Sequence, residues 1–411
     1  MTAPAVLNPS SVIRNLSANR VIFVNRVYWP SQAATAQLLA DLAEELAARG
    51  WEVHVVAAGD ENSRRHGVSL HRTGPGETHG GLVSRARNYA AFLLGARRVL
   101  RDLVRPGDTV VVLTDPPLLA AAATGPALAH GASVVHWIQD IYPEIIPAHT
   151  GGWSAPLLAP LRWVRNRAWR SARGCVPVSA DMAATVAAQG VPASAISVVH
   201  NWAPPELKTP AAAAAIAAQR AAWDAADKFI VAYSGNLGRV HEFATVLAAA
   251  ALLRDEPDIV FLFVGGGARF AEVAAAAAAR RLTNVRFLPA TPRAQLAAAL
   301  AAADAHLVTL RPGFEHLVSP SKLAGILAAG RPALYVGPAG TEISRLLAVG
   351  PCGATVAPGD SARLAAAVRQ WRDDPGARAA AGRAARRCFE QHFTLAQSAD
   401  RWEHILRPGA A

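Results

Sequence analysis

Short β-branched runs alternate with alanine- and leucine-rich stretches along almost the whole chain, and no other feature restricts the fold so tightly. Such alternation builds parallel sheets covered by helices on both faces. Runs at 21–25, 53–57, 109–113, 132–138, 175–178 and 196–200 read as strands. Between the first two, 34–49 reads as a helix, with Leu38, Leu42 and Leu46 on one stripe and Gly50 as its stop. After Asn201 the text becomes WAPPELKTPAAAAAIAAQRAAWDAADK, a proline-punctuated connector leading into a helix. The alternation then restarts, with strands expected at 229–233, 259–264, 285–288, 306–310, 333–336 and 354–356. The expectation is an α/β chain of two doubly wound, Rossmann-like domains facing across a cleft, 1–204 and 205–392. In the remaining 393–411, a last helix over 395–406 follows a break at His392-Phe393-Thr394 and is expected to cross back to the first domain.

A length of 411 residues suits two cores better than one, and 52% hydrophobic against 17% charged residues marks a globular protein. The formal net charge of +11 fits nucleic acid, anionic membrane or anionic substrate, and does not choose among them. Of the 41 basic residues only Lys208, Lys228 and Lys322 are lysines; with the long alanine runs, this points to biased coding DNA and assigns part of the basicity to drift. Cys175, Cys352 and Cys388 lie far apart, and neither a CxxC pair nor an HExxH spacing occurs. No disulfide framework or metal site is expected, and a reducing cytosol fits. The first twenty residues lack the apolar core of a signal peptide. The stretch 116–138, broken by Gly125-Pro126, reads as helix then strand rather than as a membrane span.

In doubly wound sheets ligands bind outside the carboxyl ends of the strands. Among the loops expected there, HLVSPSKLAGILAAGRP (316–332) has Ser319 as a favourable N-cap, Pro320 at the first helical position, and Leu323, Ile326, Leu327 and Gly330 as a buried stripe. Free amides, the helix dipole and the Lys322 ammonium would suit a diphosphate. The plain alternative is a capped core helix with an incidental lysine. SGNLGRVHEF (234–243) leaves a strand through Gly235 and Gly238, which let backbone approach a phosphate, while Arg239 or His241 could bring charge. A tight turn is its alternative. Gly265-Gly266-Gly267, followed only by Arg269, reads as a turn. In QDIYPE, Asp140 could orient a hydroxyl or take its proton, or simply cap a helix ahead of Pro143. Asn201 and Trp202 read as packing at the domain boundary. PLRWVRNRAWRSARG (160–174) sets Leu161, Val164 and Ala168 on one stripe among Arg162, Arg165, Arg167, Arg170 and Arg173. It fits either an ordinary surface helix or a peripheral contact at the anionic inner face of the cell membrane.

The ordered blocks YWPSQAATAQLLADLAEELAARGWEVHVV, TDPPL, QDIYPE, VVHNWAPP, YSGNLGRVHEF, HLVSPSKLAGILAAGRP and GTEISRLL cover most of the chain. With them the chain resembles retaining glycosyltransferases of family 4, a GT-B-fold group, and especially the bacterial capsule, exopolysaccharide, colanic-acid and N-acetyl-fucosaminyl members. The resemblance implies that the second domain binds a nucleotide-diphosphate sugar, usually UDP-linked, and the first a glycan or polyprenyl-linked acceptor. It puts Gly235, Asn236, Arg239 and His241 in the diphosphate loop, Ser319, Ser321 and Lys322 at a phosphate-binding helix, and Thr341 and Glu342 near the nucleotide. Glu315 falls near the donor sugar and Asp140 near the acceptor hydroxyl. Two positions depart from the family pattern. Asn236 and His241 stand where many members carry an arginine and a lysine, and Leu317 and Gly325 where many carry two glutamates, the second holding the ribose.

The implied transfer needs no metal and no other cofactor, since cations preorganised at the departing diphosphate stabilise its developing charge. Retaining glycosidases place two carboxylates about 5 Å apart. No such partner for Asp140 stands out in the sequence, which favours same-face attack by the acceptor. Two rival readings are a UDP-sugar epimerase of the same fold and a non-catalytic, membrane-associated scaffold for a polysaccharide machine.

Overall fold

The computed structural model describes residues 19–76 and 81–407. Most of the stretch 1–20, read above for an apolar leader core, therefore lies outside the described residues. The chain forms two compact units, Met1–Val199 with Ala399–Ala411, and His200–Ser398.

In the first unit, β1 (Arg20–Val24), β2 (Glu52–Ala57), β3 (Ser63–Arg65), β4 (Val68–Arg72), β5 (Thr109–Val112), β6 (Ser133–Ile138) and β7 (Gly174–Pro177) form one sheet in the order β3-β4-β2-β1-β5-β6-β7. Only the β3–β4 pair is antiparallel. Every residue of β1 is buried, as a parallel strand covered on both faces requires, and this is why its apolar run is continuous rather than alternating. The helix Ala34–Ala48 buries Leu38, Leu39, Leu42 and Leu46, and Gly50 follows it at φ +90°. The stretch 196–200 is not a strand. It meets β7 in one isolated bridge, Cys175 with Ile196; β7 ends at Pro177, which has no amide to extend the ladder.

The end of the helix Leu395–Leu406 packs on the first unit. Trp402 meets Trp137 edge-on at 5.0 Å, Trp51 Nε1 donates to Glu403 at 2.9 Å, and Arg173 donates to the Ile405 carbonyl at 2.6 Å.

In the second unit, β8 (Phe229–Asn236), β9 (Ile259–Gly266), β10 (Val285–Leu288), β11 (Ala305–Thr309), β12 (Ala333–Val336) and β13 (Gly353–Val356) run parallel in the order β10-β9-β8-β11-β12-β13. Phe243, Phe261, Phe263, Leu307 and Leu364 lie in its main core. No helix among the described residues is long and apolar enough to cross a membrane.

Candidate functional site

The strand order of the second sheet reverses between β8 and β11, and the loops leaving these two strands form the candidate site. In open parallel sheets such a reversal leaves a crevice at the carboxyl edge. β8 and β9 stay paired beyond the apolar run, through Gly235 with Gly265 and Asn236 with Gly266. A β-carbon on Gly265 would stand 2.2 Å from the Gly235 carbonyl oxygen, and Gly265 holds φ +143°. Only glycine permits that approach. Gly265–Gly267, read as a simple turn, is thus the bed on which the Gly235 loop rests. Arg269 fastens it, donating through Nη1 to the His241 carbonyl at 2.7 Å.

Lys322 reaches this loop from the other side. Its stem is partly exposed, but its ammonium is buried and has no hydrogen-bond partner. Nζ lies 3.5 Å from the centroid of the Tyr233 ring, and Cε is 3.8 Å from where a Gly235 β-carbon would stand. The ring quadrupole attracts the cation, yet it cannot replace the water lost, and burial drives the lysine pKa well below its ordinary value. Tyr233 is locked in place by its hydroxyl, which donates to the Asn236 carbonyl at 2.8 Å.

His241 does not bring the positive charge sought in the sequence. Its Nδ1 donates to the Thr309 carbonyl at 2.6 Å. Burial, reinforced by the Lys322 charge, pushes its pKa down to about 3, so the ring is neutral. Arg239 is exposed, and its carbonyl accepts from Arg311 at 3.3 Å. Asn236 is exposed beside Gly238.

The helix after β11 starts later than the sequence pattern predicts. It spans Lys322–Ala328, with Ser321 before it in helical geometry and no side-chain cap. Ser319 is therefore not its N-cap, nor Pro320 its first residue. At seven residues the helix is too short to present a dipole site of its own, so the charge here belongs to the lysine. Glu315 turns back on its own loop, Oε2 accepting from the Gly313 amide at 2.7 Å. The Thr341 hydroxyl caps the helix Glu342–Val349 by accepting from the Ser344 amide at 3.2 Å, and Glu342 meets His200 Nε2 at 2.7 Å.

Within the first unit, Asp140 follows β6 and lines a small cavity of about 20 Å³ with Thr114, His136, Tyr142, Arg165 and Trp169, room for roughly one water. Burial first, then the nearby Asp115 charge, raises its pKa to about 6. The nearby Glu144 is held by Arg165 at 2.6 and 2.8 Å. Arg165 is itself buried and stacks on Trp169 at 4.0 Å. Only Ala168 of the apolar stripe read in the helix Ala159–Ser171 points inward, with Arg165 and Trp169, while Leu161, Trp163 and Val164 stand exposed. A guanidinium goes inside because Glu144 and the Tyr142 carbonyl are there to receive it.

Tyr233 escaped the sequence reading, and Arg269 entered it only as the cation after a turn. An aromatic inside a strand reads as core, and one arginine among so many carries no signal.

Residues 35–207 match the family described as Glycosyltransferase Family 4, and residues 216–388 the one described as Glycosyl transferases group 1. WbjE, a probable glycosyltransferase of Pseudomonas aeruginosa, is 30% identical over 288 residues, 69% of this chain and 71% of that protein. The chain belongs to glycosyltransferase family 4. A second relative of this glycosyltransferase, the putative colanic acid biosynthesis glycosyl transferase WcaI of Escherichia coli (strain K12), is 35% identical over 195 residues, 47% of this chain and 48% of that protein. Among solved structures, HepE of Anabaena in complex with UDP covers 94% of this chain and 99% of its own, with a TM-score of 0.70 at 15% identity. The shared architecture is the GT-B fold.

Proposed function

We propose that this glycosyltransferase moves a hexosyl or N-acetylhexosaminyl group from a UDP-sugar to a hydroxyl of a glycan or polyprenyl-linked acceptor, with retention, in surface polysaccharide assembly. The observation that carries this reading is the buried ammonium of Lys322, which has no hydrogen-bond partner and lies beside Gly235. Burying an ammonium without a counter-charge is unfavourable, and an arriving diphosphate would supply the missing anion. The complex of HepE with UDP supports UDP as the nucleotide, and the similarity to WcaI, a putative colanic acid biosynthesis glycosyl transferase, supports the setting.

In the proposed reaction the bond between the anomeric carbon and the diphosphate oxygen breaks, and its electron pair leaves with UDP. Lys322 stabilises that charge as it develops, and no metal ion is invoked. The acceptor oxygen bonds the anomeric carbon on the face the diphosphate leaves. Asp140 receives the acceptor's proton; a pKa of about 6 makes it ionised yet still basic near neutrality. Glu315, Arg239 and the backbone of Asn236 are assigned to the donor side.

Membrane contact belongs to the same proposal. Trp153, Leu157 and Trp163 are 70%, 72% and 61% exposed, close in sequence to the exposed Arg167 and Arg170, a composition that suits an anionic bilayer surface.

The test is a screen of UDP- and GDP-sugars against polyprenyl-diphosphate-linked acceptors, with the anomer of the product read by NMR. Transfer from a UDP-sugar with retention is expected. Epimer formed without acceptor, or UDP binding that survives Lys322→Met unchanged, overturns the reading.

A further inference from the structure

A groove of about 460 Å³ lies in the second unit, lined by Asp304, Arg331, Gly330, Arg378, Arg383 and Arg386 among others. Asp304 directly precedes β11, and Arg331 stands two residues before β12. The Gly235 and Lys322 loops follow their strands. The groove is therefore at the amino edge of the sheet and the lysine at the carboxyl edge, roughly 16 Å apart for a five-residue strand rising about 3.3 Å per residue. We propose that this groove binds a small phosphate-bearing anion, at a site separate from that of Lys322.

The groove carries four guanidiniums and one carboxylate. That carboxylate is already divided: Asp304 Oδ2 accepts from the Ile230 amide at 2.8 Å and from Arg220 at 3.1 Å, and Oδ1 lies 3.9 Å from Arg378 Nε. Little of it is left for Arg331. Arg331 donates through Nη2 to the Ala301 carbonyl, but its Nε is buried and has no acceptor. Arg383 is exposed. Arg386 serves as a wall, spent on the Leu207 and Ala328 carbonyls at 3.0 and 2.7 Å and on Glu390 at 2.7 Å.

An arginine-rich chain puts guanidiniums everywhere, so abundance alone makes no site. Around Arg372, by contrast, acids are plentiful: it contacts Glu256, Asp258 and Asp373. In the groove that proportion is inverted, and a buried donor is left without an acceptor. A guanidinium presents parallel N–H groups that match phosphate oxygens. The volume is in the range of small-molecule pockets, which favours a soluble ligand the size of a sugar phosphate.

The experiment is a calorimetric titration of the full chain with inorganic pyrophosphate. It is done in a Lys322→Met background, so that binding at the other site is removed. Binding should persist there, and adding Arg383→Glu or Arg331→Gln should each weaken it tenfold or more. Arg383→Glu, altering an exposed side chain, should keep the parent's thermal midpoint without ligand, which separates lost binding from lost fold. Absent binding in Lys322→Met, or equal binding with and without Arg383→Glu, overturns the proposal. A parallel arm sediments the chain with phosphatidylglycerol vesicles. A defect of Arg383→Glu confined to vesicles would assign the groove to a lipid headgroup and overturn the soluble ligand. UDP binding by the unaltered chain is a separate titration, so failure of the transferase reading is read independently.

Discussion

Among its parallel strands each of the two sheets reverses its order once, the first between β1 and β5, the second between β8 and β11. The loops leaving β1 and β5 close on one another: Arg26 grips Asp115 at 3.1 and 2.9 Å, and its amide donates to the Asp115 carbonyl at 2.8 Å. At the corresponding place in the second sheet Lys322 is buried with no hydrogen-bond partner. One unit satisfies its crevice with its own ions, whereas the other leaves a buried ammonium without a hydrogen-bond partner. The same fold geometry thus does different work according to whether the chain completes its own electrostatics. The unresolved charge of the first unit lies one strand over, at Asp140, where burial and a like charge act together.

The largest effect should come from removing the lysine. Lys322→Met is expected to lower transfer by about 10²–10³-fold, the scale of losing one preorganised stabiliser of a developing anion. The thermal midpoint should hold or rise, because an unpaired buried amine is replaced by an apolar chain of similar length. A comparable loss of rate accompanied by unfolding would make Lys322 a structural residue and remove the contrast. The lysine also predicts a proton linkage. Its pKa is depressed in the free protein and a bound diphosphate restores it, so UDP binding at alkaline pH should take up protons. Calorimetry in buffers of different ionisation enthalpy measures this.

Asp140→Asn should lower transfer by about 10²-fold, a typical contribution of one acid–base group. Its effect on stability has the opposite sign. With the folded pKa raised from 3.8 to about 6, the folded carboxyl disfavours ionisation, and that penalty is absent below the unfolded pKa and complete above about 6. At pH 7.5 the asparagine variant should be more stable by about 1–3 kcal/mol, and at pH 4 the two proteins should converge. Denaturant midpoints at both pH values check it.

Buried histidines test the two units on a common scale. His136 in the first and His306 in the second are both pushed down to about 4, chiefly by burial. A histidine whose folded pKa is depressed stabilises the fold fully above the unfolded value of 6.5 and loses that contribution as pH falls toward 4. Each could account for about 3 kcal/mol over that window. His136→Gln should flatten the acid limb of the first unit and leave that of the second in place, followed by amide hydrogen exchange.

Much of this was legible in the sequence because burial on both faces of a parallel sheet demands long β-branched runs. The predicted strands 285–288 and 333–336 coincide with β10 and β12. Where pairing rather than side-chain chemistry decided, the sequence was silent. Ser234, Gly235 and Asn236 have no strand character, yet β8 continues through them because the facing glycines leave room for the ladder. Charges were harder to read than strands. His241 looked like a cation in a phosphate loop, but burial, reinforced by the Lys322 charge from an element distant in sequence, keeps it neutral even though the Thr309 carbonyl accepts from its Nδ1. Arg165 looked like a surface charge, since the sequence cannot show that Glu144 waits behind it. Lys322 stood out only because this chain writes nearly all its cations as arginine.

The smallest effect is the most discriminating for the comparison. Arg26→Gln opens the ion pair at the first sheet's reversal. Its partners are 19% and 25% exposed, so the cost in stability should be about 1 kcal/mol or less. The consequence for Asp140 is separate. Asp115 already raises the Asp140 pKa, and without Arg26 that negative charge is no longer offset. The pKa of Asp140 should therefore rise further, and the limb of the transfer rate that climbs as Asp140 ionises should move above about pH 6. A pH–rate profile unchanged by Arg26→Gln would mean that the first unit's ion pair does not tune the proton acceptor, leaving burial alone to set its pKa.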